Sequence, residues 1–449
     1  MKETNEYEMD LQGQQSSLQI YTQLCLCYPI KILTAHTAIV DILNNGLERL
    51  SAGFPWLAGQ VVNEGASAHS TGIFKIKSLE RTPRLVVKDL RNDPAAPTME
   101  SLRQAKFPFK MLDESIVAPH RTLPDSSTSD SPVFLVQATF IIGGLLLTFV
   151  GQHATMDITG QGQIIRLFST ACRKEPFTPE ELSIGNLPRR TIIPLLDDSY
   201  KPGLEVDHQI VKPPFPAPPS TEPLPTSTWA YFIFTHTSLA ALKSLATETL
   251  TSGFISTDDA LTAFIWQSIL RARLPRLSPT IDVTLARAID PRRYLNIPQT
   301  YPGVVQNMTY HTYPLRKLVD EPLGSIAAEL RSVLDFKTSK IGFNTSALAT
   351  LIDRTSNKTT INVTASLDLS KDIMLSSWAK VECRDLDFSL GLGKPECVRR
   401  PRFDPVESLL YLTPKAGDDE IAAGLCLRDE DMQRLKVDKE FVKYGTYIG

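Results

Sequence analysis

From Val133 to Gly151 the chain runs for 19 residues without a charged side chain (VFLVQATFIIGGLLLTFVG). A helix of that length could just cross a bilayer. Gly143-Gly144 interrupts its centre, however, and the flanks are rich in Val, Ile, Phe and Thr, the residues of strands. The segment is therefore expected to form two buried strands joined by a Gly-Gly turn, not a membrane span.

Other elements alternate around this pair. Ile39, Ile42, Leu43, Leu47 and Leu50 recur at helical spacing within His36 to Ala52, and Gly53 stops that helix. Phe54-Pro-Trp-Leu-Ala-Gly-Gln-Val61 leads into a strand. A helix is expected from Thr159, with Ile164, Ile165, Leu167, Phe168 and Cys172 on one side. Further on, Trp229–Phe234 reads as a strand. Ser256-Thr-Asp-Asp259 fits a capping box opening a helix. Strands are expected at Asp282–Ile289, Thr360–Leu367, Met374–Val381 and Ser408–Leu412, and a last helix over Leu427–Leu435.

Between Pro213 and Pro225 there are seven prolines in 13 residues, which favours an extended connection. The expected organisation is an N-terminal domain over 1–212, a linker over 213–227 and a C-terminal domain over 228–449, both α/β.

With 47 basic and 50 acidic side chains the formal charge is −3. That balance argues against a protein held to nucleic acid by many phosphate contacts, though it leaves room for a basic patch on one face. The six cysteines (Cys25, Cys27, Cys172, Cys383, Cys397 and Cys426) form no CxxC pair, and they are too sparse for a disulfide framework. Residues 1–19 lack the basic start and apolar core of a secretory signal. A cytoplasmic protein with free thiols is expected.

Three segments could carry chemistry. His153-Ala-Thr-Met-Asp157 follows the end of the long apolar run, and histidine accepts a proton near neutral pH without special tuning. Taken alone, HxxxD fits a satisfied core histidine equally well. A metal site would need a third ligand nearby, and none stands in the sequence, so no metal is expected. Asp387-Phe-Ser-Leu-Gly-Leu-Gly-Lys-Pro395 is glycine-rich, but Pro395 stands where a phosphate loop needs a hydroxyl; by itself it reads as a turn. Asp290-Pro-Arg292-Arg293 could pair a buried carboxylate, grip a phosphate, or be an exposed basic turn.

Together these pieces resemble the BAHD acyltransferases, acyl-CoA-dependent enzymes of specialised metabolism, and most closely their fungal branch of trichothecene-type O-acetyltransferases. The resemblance rests on Phe54–Gly59, His153–Asp157, Asp290-Pro-Arg292 with Tyr301-Pro-Gly303, Ser376-Ser-Trp378 before Asp387-Phe388, and the tail from Leu425, all in the family's order. Two departures stand out. Ile158 replaces the usual glycine after the aspartate, and the plant DFGWGKP has Ser389, Leu390 and two extra residues here.

The resemblance implies an α/β fold of two similar mixed-sheet domains of chloramphenicol-acetyltransferase-like type, with the active-site channel between them. It implies His153 as general base, Asp157 and Arg292 as a supporting pair, Asp387 as a structural residue at the domain contact, and Ser376 and Trp378 at the oxyanion or substrate. No tightly bound cofactor is expected; acetyl-CoA is the cosubstrate. The acceptor would be a small hydrophobic alcohol, a terpenoid being favoured, and the enzyme a monomer without a nucleic-acid or membrane partner. Transfer to an amine, transfer of another acyl group to an alkaloid or polyketide, acyl transfer through a thiol such as Cys172, and an inactive binding protein of the same fold are the competing readings.

Overall fold

In a computed structural model the described residues are 6–30, 36–124, 130–212, 225–250, 253–417 and 419–449. Most of the proline-rich stretch, 213–224, lies outside them. Two principal sheets organise the chain. The first has five strands in the order Cys397–Arg399, Tyr21–Pro29, Gly144–Gln152, Phe134–Ile141 and Arg84–Asp89. The second has seven, in the order Asn307–Pro314, Asp282–Ile289, Ile373–Ser377, Leu409–Leu412, Ile421–Arg428, Ser227–Phe234 and Gly445–Tyr447. A small three-stranded sheet of Glu6–Glu8, Ile73–Ser78 and Gly59–Glu64 lies beside the first.

The uncharged run forms the antiparallel hairpin at the centre of the five-stranded sheet, every strand residue buried. Its turn is Ile142-Gly143, not Gly143-Gly144: Ile141 pairs with Gly144, and Gly143 takes the positive φ of 76° that glycine adopts without steric cost. Among the described residues no helix is long and apolar enough to cross a membrane.

The helices His36–Gly53 and Ile158–Cys172 pack together over this sheet. The helix Thr257–Arg273 starts at the capping box expected of it, Ser256 and Asp259 exchanging hydrogen bonds. It is buried along nearly its whole length against the seven-stranded sheet.

Three expected elements differ. Thr360–Leu367 is a run of turns: the Asn362 side chain accepts from the Thr364 N–H (3.0 Å) and hydroxyl. Such local bonds compete with a strand ladder. The strand expected to reach Val381 ends at Ser377, because Trp378 and Val381 close a turn (Val381 N to Trp378 O, 2.9 Å). The tail helix begins at Asp429, Leu427 and Arg428 belonging to a strand, and it is not the last element: a short helix at Lys439–Val442 and an edge strand follow.

Candidate active site

His153 is the first residue beyond the central strand of the five-stranded sheet. Its N–H donates to Ile20 O at 2.7 Å, tying the loop to the chain that enters the neighbouring strand. Gln152 braces the loop further: its Oε1 accepts from Ala154 N (2.7 Å), and its carbonyl accepts the Thr155 N–H (3.0 Å) and hydroxyl (2.7 Å). The His153 side chain is half-buried and its Nδ1 is enclosed, which leaves Nε2 as the nitrogen a ligand can reach. Burial lowers the imidazole pKa and Arg400 adds to this, while the carbonyls of His153 and Met156 oppose it. A neutral imidazole results, in the form that accepts a proton.

Asp157 turns the other way. It caps the helix Ile158–Cys172, its Oδ1 accepting from Gly160 N at 2.8 Å, while Oδ2 accepts from Val305 N (2.7 Å) and Arg292 Nη2 (2.8 Å). Arg292 is completely buried and also donates to Asp290 Oδ1, Tyr301 O, Gly303 O and Val305 O. Burial pushes the Asp157 pKa up, and Arg292, Gly160 and Val305 draw it back. Gly160 fits because a Cβ there would lie 2.3 Å from Pro302 O. The helix start thus presses directly on Tyr301-Pro-Gly303.

A second buried charge network braces the same loop, and it is not apparent from the sequence motifs. Arg189 Nη1 donates to Thr155 O (2.8 Å) and to Asp10 Oδ2 (2.9 Å), and Tyr301 Oη donates to Asp10 Oδ1 (2.6 Å). The Arg189 guanidinium lies 3.9 Å from the Trp56 ring centroid. Five distant stretches meet here, so no local spacing gives the network away.

Ser376 and Trp378 stand at and just beyond the end of the strand Ile373–Ser377. The Trp378 indole Nε1 donates to Ser376 Oγ at 3.0 Å, which engages the indole and leaves the serine hydroxyl hydrogen free to donate. Trp378, Phe403 and Tyr411 belong to the same extended apolar core as Ala154 and Met156 of the His153 loop.

Asp387 lies elsewhere. It is exposed; its Oδ1 accepts from Ser389 N (2.7 Å), and its carbonyl accepts from Ser169 Oγ (2.8 Å) and Arg173 Nη1 (2.9 Å). Those partners sit near the C-terminal end of the helix that Asp157 begins, roughly 18 Å along its axis at 1.5 Å per residue. Next to Asp387, Phe388 stacks on Phe149 at 5.6 Å. Cys172 ends the same helix, buried, its thiol pKa pushed up to about 12, and a protonated thiol is a poor nucleophile.

Arg400 escaped the sequence reading. It is 1% exposed, with its guanidinium carbon 5.1, 4.3 and 4.4 Å from the ring centroids of Trp378, Phe403 and Tyr411. The arginine doublet Arg399-Arg400 stands in the sequence, but that it follows a buried strand, Cys397-Val398, shows only in the folded chain.

Comparisons with known proteins give the family. A model of the trichothecene 3-O-acetyltransferase-like N-terminal domain matches residues 20–172, and one of the Transferase family matches residues 101–442. An O-acetyltransferase, dmxR13, of Cryptosporiopsis sp. (strain 8999) is 55% identical over 98% of this chain and 97% of its own. Trichothecene 3-O-acetyltransferase TRI101 of Fusarium sporotrichioides is 52% identical with the same coverage. The crystal structure of F. sporotrichioides TRI101 complexed with coenzyme A and T-2 superposes with a TM-score of 0.94 at 50% identity, covering 99% of this chain and 100% of that one. The chain belongs to the Transferase family, the BAHD-type acyltransferases, within the branch of trichothecene 3-O-acetyltransferase-like proteins.

Proposed function

We propose that this protein transfers acetyl from acetyl-CoA to a hydroxyl of a small hydrophobic fungal metabolite, a terpenoid being the favoured acceptor. The observation that carries the reading is the placement of His153 at the end of the central strand, its Nδ1 enclosed and its loop fixed by bonds to Ile20 and Gln152, where burial lowers the imidazole pKa. The relatives' names supply the substrate class, since TRI101 of F. sporotrichioides is described with coenzyme A and T-2.

A thioester is already activated, so no covalent enzyme intermediate is needed. In this reading the acceptor oxygen attacks the thioester carbonyl carbon while its proton passes to His153 Nε2. The C–O bond forms and the carbonyl oxygen becomes an oxyanion, which accepts a hydrogen bond from the Ser376 hydroxyl. Collapse restores the carbonyl and breaks the C–S bond, and the proton moves from His153 to the CoA sulfur. General-base assistance of this kind is typically worth about 10²–10⁴ in rate. Asp157 and Arg292 hold the loop and stay out of the chemistry, and Asp387 acts as a turn residue where its segment docks on the N-terminal half. The division into 1–212 and 228–449, with a cytoplasmic monomer as the working form, belongs to the same proposal.

Release of free CoA thiol from acetyl-CoA, with a panel of hydroxylated terpenoids, tests it beside His153→Ala. Acceptor-dependent release that disappears in a folded His153→Ala protein is the expected result. A mutant that keeps most of the rate would remove His153 from the role.

A further inference from the structure

Arg400 is an unusual buried cation. It lies on the segment that leaves the five-stranded sheet after the edge strand Cys397–Arg399 and returns to the seven-stranded one. Its backbone is clamped by Tyr231, whose hydroxyl accepts from Arg400 N (2.9 Å) and donates to Arg400 O (3.0 Å). The side chain is thus committed to one direction, into the box of Trp378, Phe403 and Tyr411.

Every other fully buried arginine of comparable depth meets an acceptor: Arg273 meets Asp431, Arg292 meets Asp157, and Arg399 meets the carbonyls of Phe107 and Val398. Arg400 Nε and Nη1 are buried and meet none among the described residues. The carboxylate that faces it is Glu114, and Glu114 Oε2 is already taken by Gln23 Nε2 (3.0 Å) and Thr122 N (2.7 Å). Aromatic faces offset part of the burial cost of a guanidinium, and Glu114, held by neutral donors, balances its charge without a direct hydrogen bond to it.

That charge adjoins the strand end that carries Ser376. Trp378, whose ring it touches, orients Ser376, and Tyr411 is the strand neighbour of Ser376. On the other side it bears on His153. We propose that Arg400 is an electrostatic positioning residue of the acyl-transfer site, a fixed positive charge whose field reaches both His153 and the acyl oxygen that turns negative during transfer. Preorganised charge of this kind acts in a water-poor site without reorganising when the reaction occurs.

The groups facing Arg400 are Glu114 and the Tyr231 and Tyr411 hydroxyls, and among the described residues Arg400 is the charged group that bears on His153. Removing the guanidinium charge therefore lets the imidazole pKa rise. The proposal rests on the acetyl-transfer reading, so its test has two readouts. In Arg400→Gln, kcat is expected to fall on the order of 10²-fold, with the KM for acetyl-CoA changed far less, and the acid limb of kcat/KM moves to higher pH. Arg400→Lys keeps a cation in the box, so its acid limb stays near the wild-type position and more of the rate survives. The His153 ring titration, assigned by NMR as the resonance missing from His153→Ala, needs no acceptor. An upward shift in Arg400→Gln supports the field even if no acceptor is turned over, in which case the transfer reading fails separately.

A His153 titration unmoved in Arg400→Gln overturns the proposal, as does wild-type kcat. Should Arg400→Gln fail to fold, Arg400→Lys decides alone: a rate as low as that of His153→Ala, with the acid limb displaced, would leave Arg400 only a packing role.

Discussion

Arg292 Nη2 donates to Asp157 Oδ2 at 2.8 Å between two residues 135 positions apart, both almost wholly buried. The pair joins the cap of the helix that follows the His153 loop to the Asp290–Val305 segment of the C-terminal half. Breaking a buried pair by removing one partner costs about 3–5 kcal/mol, because the other charge is left behind. Here Arg292 keeps Asp290 at 3.0 Å, so Asp157→Asn should cost near the lower end. We expect a lower melting temperature together with reduced kcat, measured by calorimetry and thiol release on the same preparation. A variant with unchanged melting temperature would mean that the pair does not hold the halves together.

The half-buried imidazole gives a pH signature. Its pKa is lowered, first by burial, so His153 stays neutral and able to accept a proton below the ordinary value near 6.5. The acid limb of kcat/KM is expected below that pH. Stability follows the same sign: the unfolded chain takes up the proton first, so the contribution of a neutral His153 is complete above about 6.5 and is lost as pH falls through the folded value. Subtracting the melting profile of His153→Ala from that of the wild type isolates this slope. An acid limb above 6.5 would contradict the burial seen here.

Gly160 tests the close approach between the two halves. A methyl group there would lie 2.3 Å from Pro302 O and 2.7 Å from Pro302 C, backbone atoms that cannot swing aside. Gly160→Ala should therefore displace Tyr301-Pro-Gly303 even though alanine is the better helix former. The expected loss is about 1–3 kcal/mol, the usual range for overpacking, with a fall in kcat because Gly303 O accepts from Arg292. Unchanged activity and stability would show that the segment yields freely.

Legibility in the sequence followed the range of the interactions. The 133–151 hairpin, the Ser256 cap and the Asp282–Ile289 strand rest on local patterning and were readable. Thr360–Leu367 deceived because Thr and Val suit strands, while Asn362 bends the chain through its own side chain. His153 and Asp157 could be singled out from five residues, but Arg292 acquired its partner only through the family resemblance. The crossing of Cys397–Arg399 to pair with Tyr21–Pro29 was invisible, and Arg400 with it. Asp10, Arg189 and Tyr301 come from three separate stretches and meet only in the folded chain.

That last network yields its own prediction. Tyr301→Phe removes the 2.6 Å hydrogen bond to Asp10 Oδ1 without changing the ring. Asp10 is fully buried, so losing a donor to it should cost about 1–3 kcal/mol. Arg189 still bridges Asp10 and Thr155 O, and most of the rate should survive. Arg189→Met removes that bridge and should lower kcat further than Tyr301→Phe does, at similar KM for acetyl-CoA. The reverse order, read from steady-state kinetics, would place the support of the loop in Tyr301 instead.

Ser389 explains one departure from the plant motif, and it can be tested alone. Its φ is 58°, in the left-handed region that costs a side-chain-bearing residue roughly 1–2 kcal/mol and glycine almost nothing. Serine is held there by its N–H, which donates to Asp387 Oδ1 at 2.7 Å. Ser389→Gly, which restores the plant residue, relieves the strain but frees the unfolded chain, and the two nearly cancel. Its stability should change by less than about 1 kcal/mol, with kcat unaltered. Asp387→Ala removes the brace while leaving the strained φ, so it should destabilise more than Ser389→Gly, and the double variant should recover most of that loss. If Asp387→Ala costs the same with glycine at 389 as with serine, the carboxylate does something other than hold this turn.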